Sequence, residues 1–239
     1  MLHIEEELKQ NTYPGRGIIL GKSADEKCAV IAYFIMGRSV NSRNRFFIGT
    51  QEGGVRTSAV DPSKLTDPSL VIYHPVRVFG DHTIVTNGDQ TEDIYEGLQK
   101  GISFSESLTK RTFEPDPPHY TPRISGLLTI QEEQMSYQLS ILKSADGNPM
   151  CANRFNFSYE TPLAGIGHFI HTYQGDGNPL PSFNGEPKTI AIDSNCDTFA
   201  KTIWASLDPQ NKVSLFVRYI TLSNGRTYSR FFNQYFPEE

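Results

Sequence analysis

The sequence predicts an α+β fold made of two antiparallel sheets and few helices. Short apolar or alternating segments, divided by polar turns, fill the first third of the chain and recur after residue 122. Helical spacing is confined to a few short stretches between and after them. Strands in runs, with helices set apart from them, are typical of a layered architecture. The 239 residues are expected to form one domain, residues 1–239.

The first third is expected to be an antiparallel meander. A polar turn at residues 23–26 joins the first two strands, and the second is apolar enough to be buried on both faces. Gly53 and Gly80 lie near later turns. The predicted strands cover residues 17–22, 27–36, 45–50, 54–60, 70–79 and 82–86.

Helices and a rigid loop follow this meander. Thr91 is expected to cap a helix over residues 92–100, and a second short helix is expected at residues 106–111. Residues 114–122 contain four prolines, which remove amide donors and fix φ. This segment is therefore predicted to be a stiff loop.

The rest of the chain supplies a second set of strands. A loop rich in glycine and proline, residues 175–187, precedes a helix at residues 197–207 whose apolar side chains share one face. The predicted strands cover residues 123–130, 135–143, 154–159, 165–173, 212–222 and 227–232.

The composition excludes several classes of protein. A hydrophobic share of 37% without any apolar run near the ~20 residues of a membrane span indicates a soluble protein outside the membrane. A net charge of -5 argues against general binding of nucleic acid. The acidic start of the chain lacks the features of a secretory signal, which predicts a cytoplasmic location. Cys28, Cys151 and Cys196 are odd in number and far apart, so they predict neither a disulfide framework nor a zinc site.

Basic and amide side chains are concentrated in residues 36–45, directly after an apolar strand. Guanidinium groups suit phosphate and carboxylate oxygens, so this cluster in an acidic protein predicts a site for an anionic ligand. A solvated turn between strands is the alternative. The side chains concerned are Arg38, Asn41, Arg43, Asn44 and Arg45.

A glycine turn around Arg16 has a superficial likeness to a phosphate-binding P-loop. Arg16 stands where that motif needs a glycine, and a strand follows where the motif has a helix. A contact between Arg16 and an anion and a purely structural turn both fit the residues.

Two further groups of titratable residues bear on possible sites. Glu114 and Asp116 lie on the stiff loop, where a carboxylate beside apolar residues can have a raised pKa and accept a proton; a solvated loop is the alternative. His168 and His171 are three apart on a predicted strand, where they face opposite sides, so no metal site is predicted.

Several short motifs occur in an order that resembles one family, the archaeal-type IMP cyclohydrolases. The matching segments run from Tyr13 to Pro187, and their order gives the likeness its specificity. The motifs are Tyr13-Pro14-Gly15-Arg16-Gly17, Gly37-Arg38-Ser39 through Asn44-Arg45, Tyr73-His74-Pro75, Thr86-Asn87-Gly88, Thr121-Pro122-Arg123-Ile124, Gly175-Asp176-Gly177, Pro179-Leu180-Pro181-Ser182-Phe183 and Gly185-Glu186-Pro187.

The resemblance implies a four-layer αββα sandwich like that of the N-terminal-nucleophile hydrolases, although the first residues here offer no processed nucleophile. It also implies an activity on a cyclic amidine carbon–nitrogen bond. The reaction is closure of 5-formamidoimidazole-4-carboxamide ribonucleotide to inosine monophosphate (IMP), with loss of water, in de novo purine biosynthesis. A purine ribonucleotide is the expected partner, no cofactor or metal is expected, and formation of a homo-oligomer stays open.

The resemblance and the demands of this reaction also imply roles for individual residues. Arg38 is expected near the reacting carbonyl, Tyr73 as the donor to the departing oxygen, and Glu114 or Asp116 as the acceptor of the amide proton. The residues expected to bind the substrate are Arg16, Asn41, Arg43, Asn44, Arg45, Asn87, Arg123 and Asp176.

Two rival functions remain open at this point. A purine-nucleotide-binding protein of the same fold without catalysis would share the polar turns. An amidohydrolase acting on another amide would share the sheets, and the missing nucleophile argues against it.

Overall fold

The computed structural model describes residues 2–65, 68 and 71–236, and these residues form two antiparallel sheets. In chain order the strands are β1 (Arg16–Lys22), β2 (Cys28–Met36), β3 (Phe46–Gly49), β4 (Val55–Ser58), β5 (Val76–Phe79), β6 (His82–Thr86), β7 (Arg123–Gln131), β8 (Gln134–Ala145), β9 (Asn148–Tyr159), β10 (Ile166–His171), β11 (Lys188–Ala191), β12 (Lys212–Thr221) and β13 (Thr227–Asn233). One sheet has the order β11-β10-β1-β2-β12-β13 and the other the order β3-β4-β5-β6-β7-β8-β9.

Five α-helices accompany the sheets in the described part of the chain, and four of them pack on the outer faces. They are α1 (Ile4–Gln10), α2 (Val40–Arg43), α3 (Gln90–Gln99), α4 (Phe104–Ser107) and α5 (Cys196–Ser206). Helices α1 and α5 bury Ile4, Phe199 and Ile203 against the first sheet, whereas α3 and α4 bury Ile94 and Phe104 against the second. Within the described ranges, no helix is long and apolar enough to cross a membrane.

The main core lies between the two sheets. Alternate residues of β2 enter it, among them Ile31, Tyr33 and Ile35, each fully buried. Leu139 and Ile141 of β8 face them from the second sheet. The other face of β2 packs toward α1 and α5, which explains why the sequence of this strand is apolar throughout.

Strand ends that carry predicted site residues meet at one end of this sandwich. Strand β1 begins at Arg16, which pairs with Ile35 near the end of β2. Strand β7 begins at Arg123, and β7 touches β1 closely: a Cβ on Gly126 would come within 2.9 Å of Leu20 Cδ1. A larger residue at position 126 would force the Leu20 side chain to move, so this glycine lets β7 and β1 pack closely.

The predicted α+β class and most strands are confirmed. Helix α1 and strand β11 were not predicted, because each is short and offers few apolar residues to read. The predicted strand 70–79 is too long, since the ladder begins at Val76 and the backbone of Tyr73 is instead bound to Thr57. Leu70, where that strand was predicted to begin, lies outside the described residues.

Two predicted helix starts are wrong. Thr91 lies inside α3, where its hydroxyl donates to the Gly88 carbonyl at 2.9 Å, and Asp89 holds the capping position. The helix predicted at residues 106–111 is α4 at Phe104–Ser107, because the Ser103 hydroxyl accepts from the Glu106 amide at 3.3 Å.

The two histidines of β10 occupy separate surroundings. The His168 ring stacks on Tyr159, and its Nδ1 lies 2.6 Å from the Tyr137 hydroxyl. The His171 ring stacks on Phe169, and its Nε2 is buried without a hydrogen-bond partner among the described residues. Burial lowers the pKa of His171 from 6.5 to about 3. This imidazole is therefore neutral in the folded protein at ordinary pH.

Truncation of Ile31 tests the core between the sheets. Ile31→Ala removes a fully buried side chain, so we expect the free energy of unfolding to fall by about 2–5 kcal/mol in urea denaturation. Met150→Ala is the control, since Met150 is 90% exposed and its loss should change stability by no more than about 0.5 kcal/mol. Equal effects of the two changes would contradict the position of this core.

Neutral His171 predicts a pH dependence of stability. The unfolded chain takes up a proton near pH 6.5, whereas the folded protein does so only near pH 3, so stability is complete above 6.5 and is lost as pH falls. Relative to His171→Gln, the wild type should lose about 2 kcal/mol of unfolding free energy between pH 7 and pH 5. Parallel stability curves for the two proteins, measured by denaturation at each pH, would show that this histidine can be protonated inside the fold.

Candidate functional site

A buried polar cluster lies where the ends of the two sheets meet. Glu114, Arg45, Tyr33 and Tyr73 are 3%, 1%, 0% and 6% exposed, and Arg16 lies beside them with a buried Nε. These residues come from the stiff loop, the segment before β3, β2, the segment before β5 and the start of β1. The structure therefore brings together predicted residues that are up to 98 positions apart in sequence, from Arg16 to Glu114.

The charges in this cluster act on one another. Burial raises the pKa of Glu114, and the guanidinium groups of Arg16, Arg123 and Arg45 oppose that rise. Burial by itself lowers the pKa of Arg16, but the Glu114 carboxylate together with Tyr173, Tyr13 and Tyr73 outweighs this effect and the pKa is raised. Burial lowers the pKa of Arg45. One carboxylate thus lies among several cations, which leaves the cluster suited to an anionic ligand.

Arg16 also has an unused donor. Its Nε is buried and has no hydrogen-bond partner among the described residues. Burying an unpaired donor costs about 1–3 kcal/mol, so a ligand that accepts this bond would recover the loss.

Two tyrosine hydroxyls meet inside the cluster. The Tyr33 and Tyr73 hydroxyl oxygens are 2.8 Å apart, and both rings are buried. Burial is the main cause that raises the pKa of Tyr73, and Arg45 opposes it. Both tyrosines are therefore neutral donors at ordinary pH.

Asp116 shapes the stiff loop, whereas Glu114 faces the cluster. The Asp116 carboxylate accepts from the Thr121 amide at 2.7 Å and from the Thr121 hydroxyl. The Glu114 amide donates to the Thr121 carbonyl at 2.8 Å, which closes the loop. The Thr121 hydroxyl also lies 2.5 Å from that of Tyr173. Asp116 is thus engaged in the loop and leaves Glu114 as the carboxylate nearer the arginines.

Arg38 and Asp176 form a partly exposed ion pair at the rim of the buried cluster. Arg38 is paired with the Asp176 carboxylate, and its Nη1 donates to the Gly177 carbonyl at 3.0 Å. The guanidinium lies 5.0 Å from the centre of the Tyr13 ring, which in turn stacks on Tyr173. One third of the Arg38 side chain is exposed, whereas the side chains of the cluster are buried.

Other residues that were predicted to bind the substrate form hydrogen bonds within the protein instead. Arg43 donates to the Gly37 carbonyl at 2.9 Å and to Asn211 at 3.1 Å. Asn44 exchanges two hydrogen bonds with the backbone of Asp61, both 2.7 Å long. These contacts fix residues 37–45 and so hold Arg45 in place.

Asn87 and Arg123 are likewise held by protein groups. The Asn87 amide bonds the Pro122 carbonyl at 2.9 Å and the Ile124 amide at 2.8 Å. Arg123 donates to Asp89 at 2.7 Å and to Gln90 at 2.8 Å. Arg123 still acts on Glu114 through its charge. Asn41 differs, because its Oδ1 is buried without a partner among the described residues.

Sequence reasoning missed three members of this region. Tyr33 stands in an apolar strand, so the sequence predicts that it belongs to the core. The hydroxyl of Tyr33 is the one feature of that strand that indicates a polar site. Thr121 lies in a matched motif and Tyr173 in a predicted strand. Their hydroxyls contact each other, although the two residues are distant in sequence. Residue type and spacing alone do not reveal such contacts.

An open groove adjoins the cluster on the side of Tyr73. Its volume is about 780 Å³. Arg56, His74, Arg77 and Glu92 line it together with Tyr73. Arg77 is paired with Glu92, so the walls of the groove carry both signs of charge.

Known proteins that are similar to this chain belong to one family. A family model described as "IMP cyclohydrolase-like protein" matches residues 13–225. The IMP cyclohydrolase of Methanopyrus kandleri is 34% identical over 183 residues, which cover 72% of this chain and 89% of that protein. Those of Halobacterium salinarum and Methanococcus maripaludis are 32% and 30% identical over 48% and 52% of this chain. These two matches span 57% and 62% of the relatives' own length.

Proposed function

Because the chain belongs to the IMP cyclohydrolase-like family, we propose that it closes 5-formamidoimidazole-4-carboxamide ribonucleotide to IMP with loss of water. The observation that carries the proposal is the buried carboxylate of Glu114 among Arg16, Arg45 and Arg123, beside the hydroxyl of Tyr73. The likeness to the N-terminal-nucleophile hydrolase fold is part of the proposal, supported by helices on the outer faces of two packed sheets.

The reaction makes demands that this cluster can meet. The carboxamide nitrogen attacks the formyl carbon and loses a proton while the formyl oxygen gains one, which gives a carbinolamine. The carbinolamine hydroxyl then leaves as water with the hydrogen of the former formamide nitrogen, and a C=N bond forms. The nitrogen is a weak nucleophile, so the formyl group must be held against it and the negative charge on the formyl oxygen must be stabilised. Donors that are fixed before the reaction, in a site closed to water, do this without having to reorganise.

Each residue has a role in this scheme. Glu114 accepts the amide proton, since burial raises its pKa and makes it a stronger base than an exposed carboxylate. Tyr73 donates a proton to the departing oxygen. Arg16 and Arg45 flank both groups and supply positive charge for the developing oxyanion or the 5'-phosphate.

The rim residues complete the proposed nucleotide site. Arg38 contributes either at the reacting carbonyl or at the phosphate, and Asp176, its partner, meets the ribose hydroxyls. Asn41 has a free acceptor for the base or the ribose. Arg43, Asn44 and Asn87 act through the backbone that they fix, and Arg123 acts through its charge.

The proposed activity is tested by mixing the purified protein with the formylated ribonucleotide and following ultraviolet absorbance. We expect the protein to form IMP over many turnovers. Binding of the ribonucleotide by calorimetry without any product would favour the non-catalytic rival. Absence of both binding and product would overturn the nucleotide assignment altogether.

The two loop carboxylates form a matched pair of variants. Glu114→Gln should lower kcat by about 100-fold or more, because it removes the proton acceptor while keeping the shape. Asp116→Asn should keep kcat within about tenfold of wild type, since it weakens one set of loop hydrogen bonds. Steady-state kinetics and melting curves of both variants separate the roles. A larger loss of kcat in Asp116→Asn, with its fold intact, would reverse the assignment.

A further inference from the structure

Tyr33 is the member of the buried cluster to which neither the sequence motifs nor the reaction scheme gives a role. It is fully buried in β2, its ring stacks on Phe47 with centroids 5.5 Å apart, and its hydroxyl lies 2.8 Å from that of Tyr73. Among the described residues this is the one hydrogen bond that either hydroxyl makes. Burial of a hydroxyl costs free energy that its hydrogen bond must offset, whereas a phenylalanine would fill the same apolar space without that cost.

We propose that Tyr33 is a positioning residue for Tyr73: its hydroxyl donates to the Tyr73 oxygen and leaves the Tyr73 proton directed at the substrate. This inference rests on the proposed function and adds a residue to it. A phenol donates one hydrogen bond, so the two hydroxyls can share only one proton between them. Whichever tyrosine accepts keeps its own proton free for a third group.

The charges around the pair decide which tyrosine loses its proton more readily. Arg45 is the foremost cation opposing the rise in the pKa of Tyr73, and the bond from Tyr33 also lowers that pKa. The pKa of Tyr33 is raised well above its ordinary value, first by burial and then by Tyr73. Tyr73 therefore gives up its proton more readily than Tyr33, and a hydrogen bond donated by the Tyr33 hydroxyl stabilises the Tyr73 oxygen as that proton leaves.

The backbone around Tyr73 leaves its side chain in need of such a contact. The Tyr73 amide donates to the Thr57 hydroxyl at 2.9 Å, and the Tyr73 carbonyl accepts from the Thr57 amide at 2.9 Å. These bonds fix the main chain but not the rotation of the phenolic O–H. The Tyr33 hydroxyl supplies that last constraint from the opposite sheet.

A double-mutant cycle with Tyr33→Phe and Tyr73→Phe tests the inference, with steady-state kinetics on the formylated ribonucleotide and calorimetric binding of IMP. We expect Tyr33→Phe to lower kcat about tenfold, with KM and the Kd for IMP within about twofold of wild type. Tyr73→Phe should lose several tenfold in kcat, roughly the loss from removing a general acid. The double variant should be no slower than Tyr73→Phe, because Tyr33 acts only through Tyr73.

Tyr137→Phe is the matched control. Tyr137 is also buried in the core between the sheets and also makes one hydroxyl bond, to His168 at 2.6 Å. It should melt at a temperature similar to that of Tyr33→Phe and keep wild-type kcat. A similar loss of kcat in Tyr137→Phe would make the Tyr33 effect a general consequence of a weakened core.

The outcomes distinguish this inference from the function beneath it. A wild-type protein that forms no IMP overturns both. An active wild type with an unchanged Tyr33→Phe overturns the role of Tyr33 alone. An equal loss from Tyr33→Phe in the wild-type and Tyr73→Phe backgrounds also overturns it, because the effect would not pass through Tyr73.

Discussion

Glu114 is a carboxylate that the fold removes from water and surrounds with the guanidinium groups of Arg16, Arg45 and Arg123. Removing such charges from water costs several kcal/mol for each ion unless opposite charges and hydrogen bonds replace the solvent. The cost is offset here because the cations come from both sheets and lie around one anion. Arg123 is also paired with Asp89, so the excess positive charge beside Glu114 comes from Arg16 and Arg45, and a phosphorylated ligand can balance it. The packing of the two sheets therefore determines which charged side chains the site contains.

The surrounding structure can be understood as support for that cluster. Asp116 and Thr121 close the proline-rich loop so that Glu114 points inward. Arg43 and Asn44 fix the segment that delivers Arg45. Polar side chains that the sequence suggests as ligand contacts thus hold the backbone in place through hydrogen bonds. Rigid support of this kind keeps donors in place before the substrate arrives, which is what stabilisation of a developing charge requires.

The strands were predictable because one alternation of apolar residues governs each of them, whereas α1 and β11 have too few apolar residues to stand out. For the site, Arg16, Arg45, Tyr73 and Glu114 could be named from motif and chemistry, and the fold brings them together. The structural roles of Arg43, Asn44 and Asn87 could not be foreseen, since their partners are Asn211, Asp61 and Pro122, which only the folded chain places beside them. Tyr33 was hidden for a related reason: in a buried strand a tyrosine is read as an apolar residue.

A crystal structure of the protein with IMP bound tests the central claim most directly. The account predicts the purine beside Tyr73 and Glu114, with polar atoms at about 3 Å, and the phosphate in contact with guanidinium groups from the set Arg16, Arg38 and Arg45. A nucleotide bound instead in the open groove lined by Arg56, His74 and Arg77, with the buried cluster unchanged around Glu114, would contradict it.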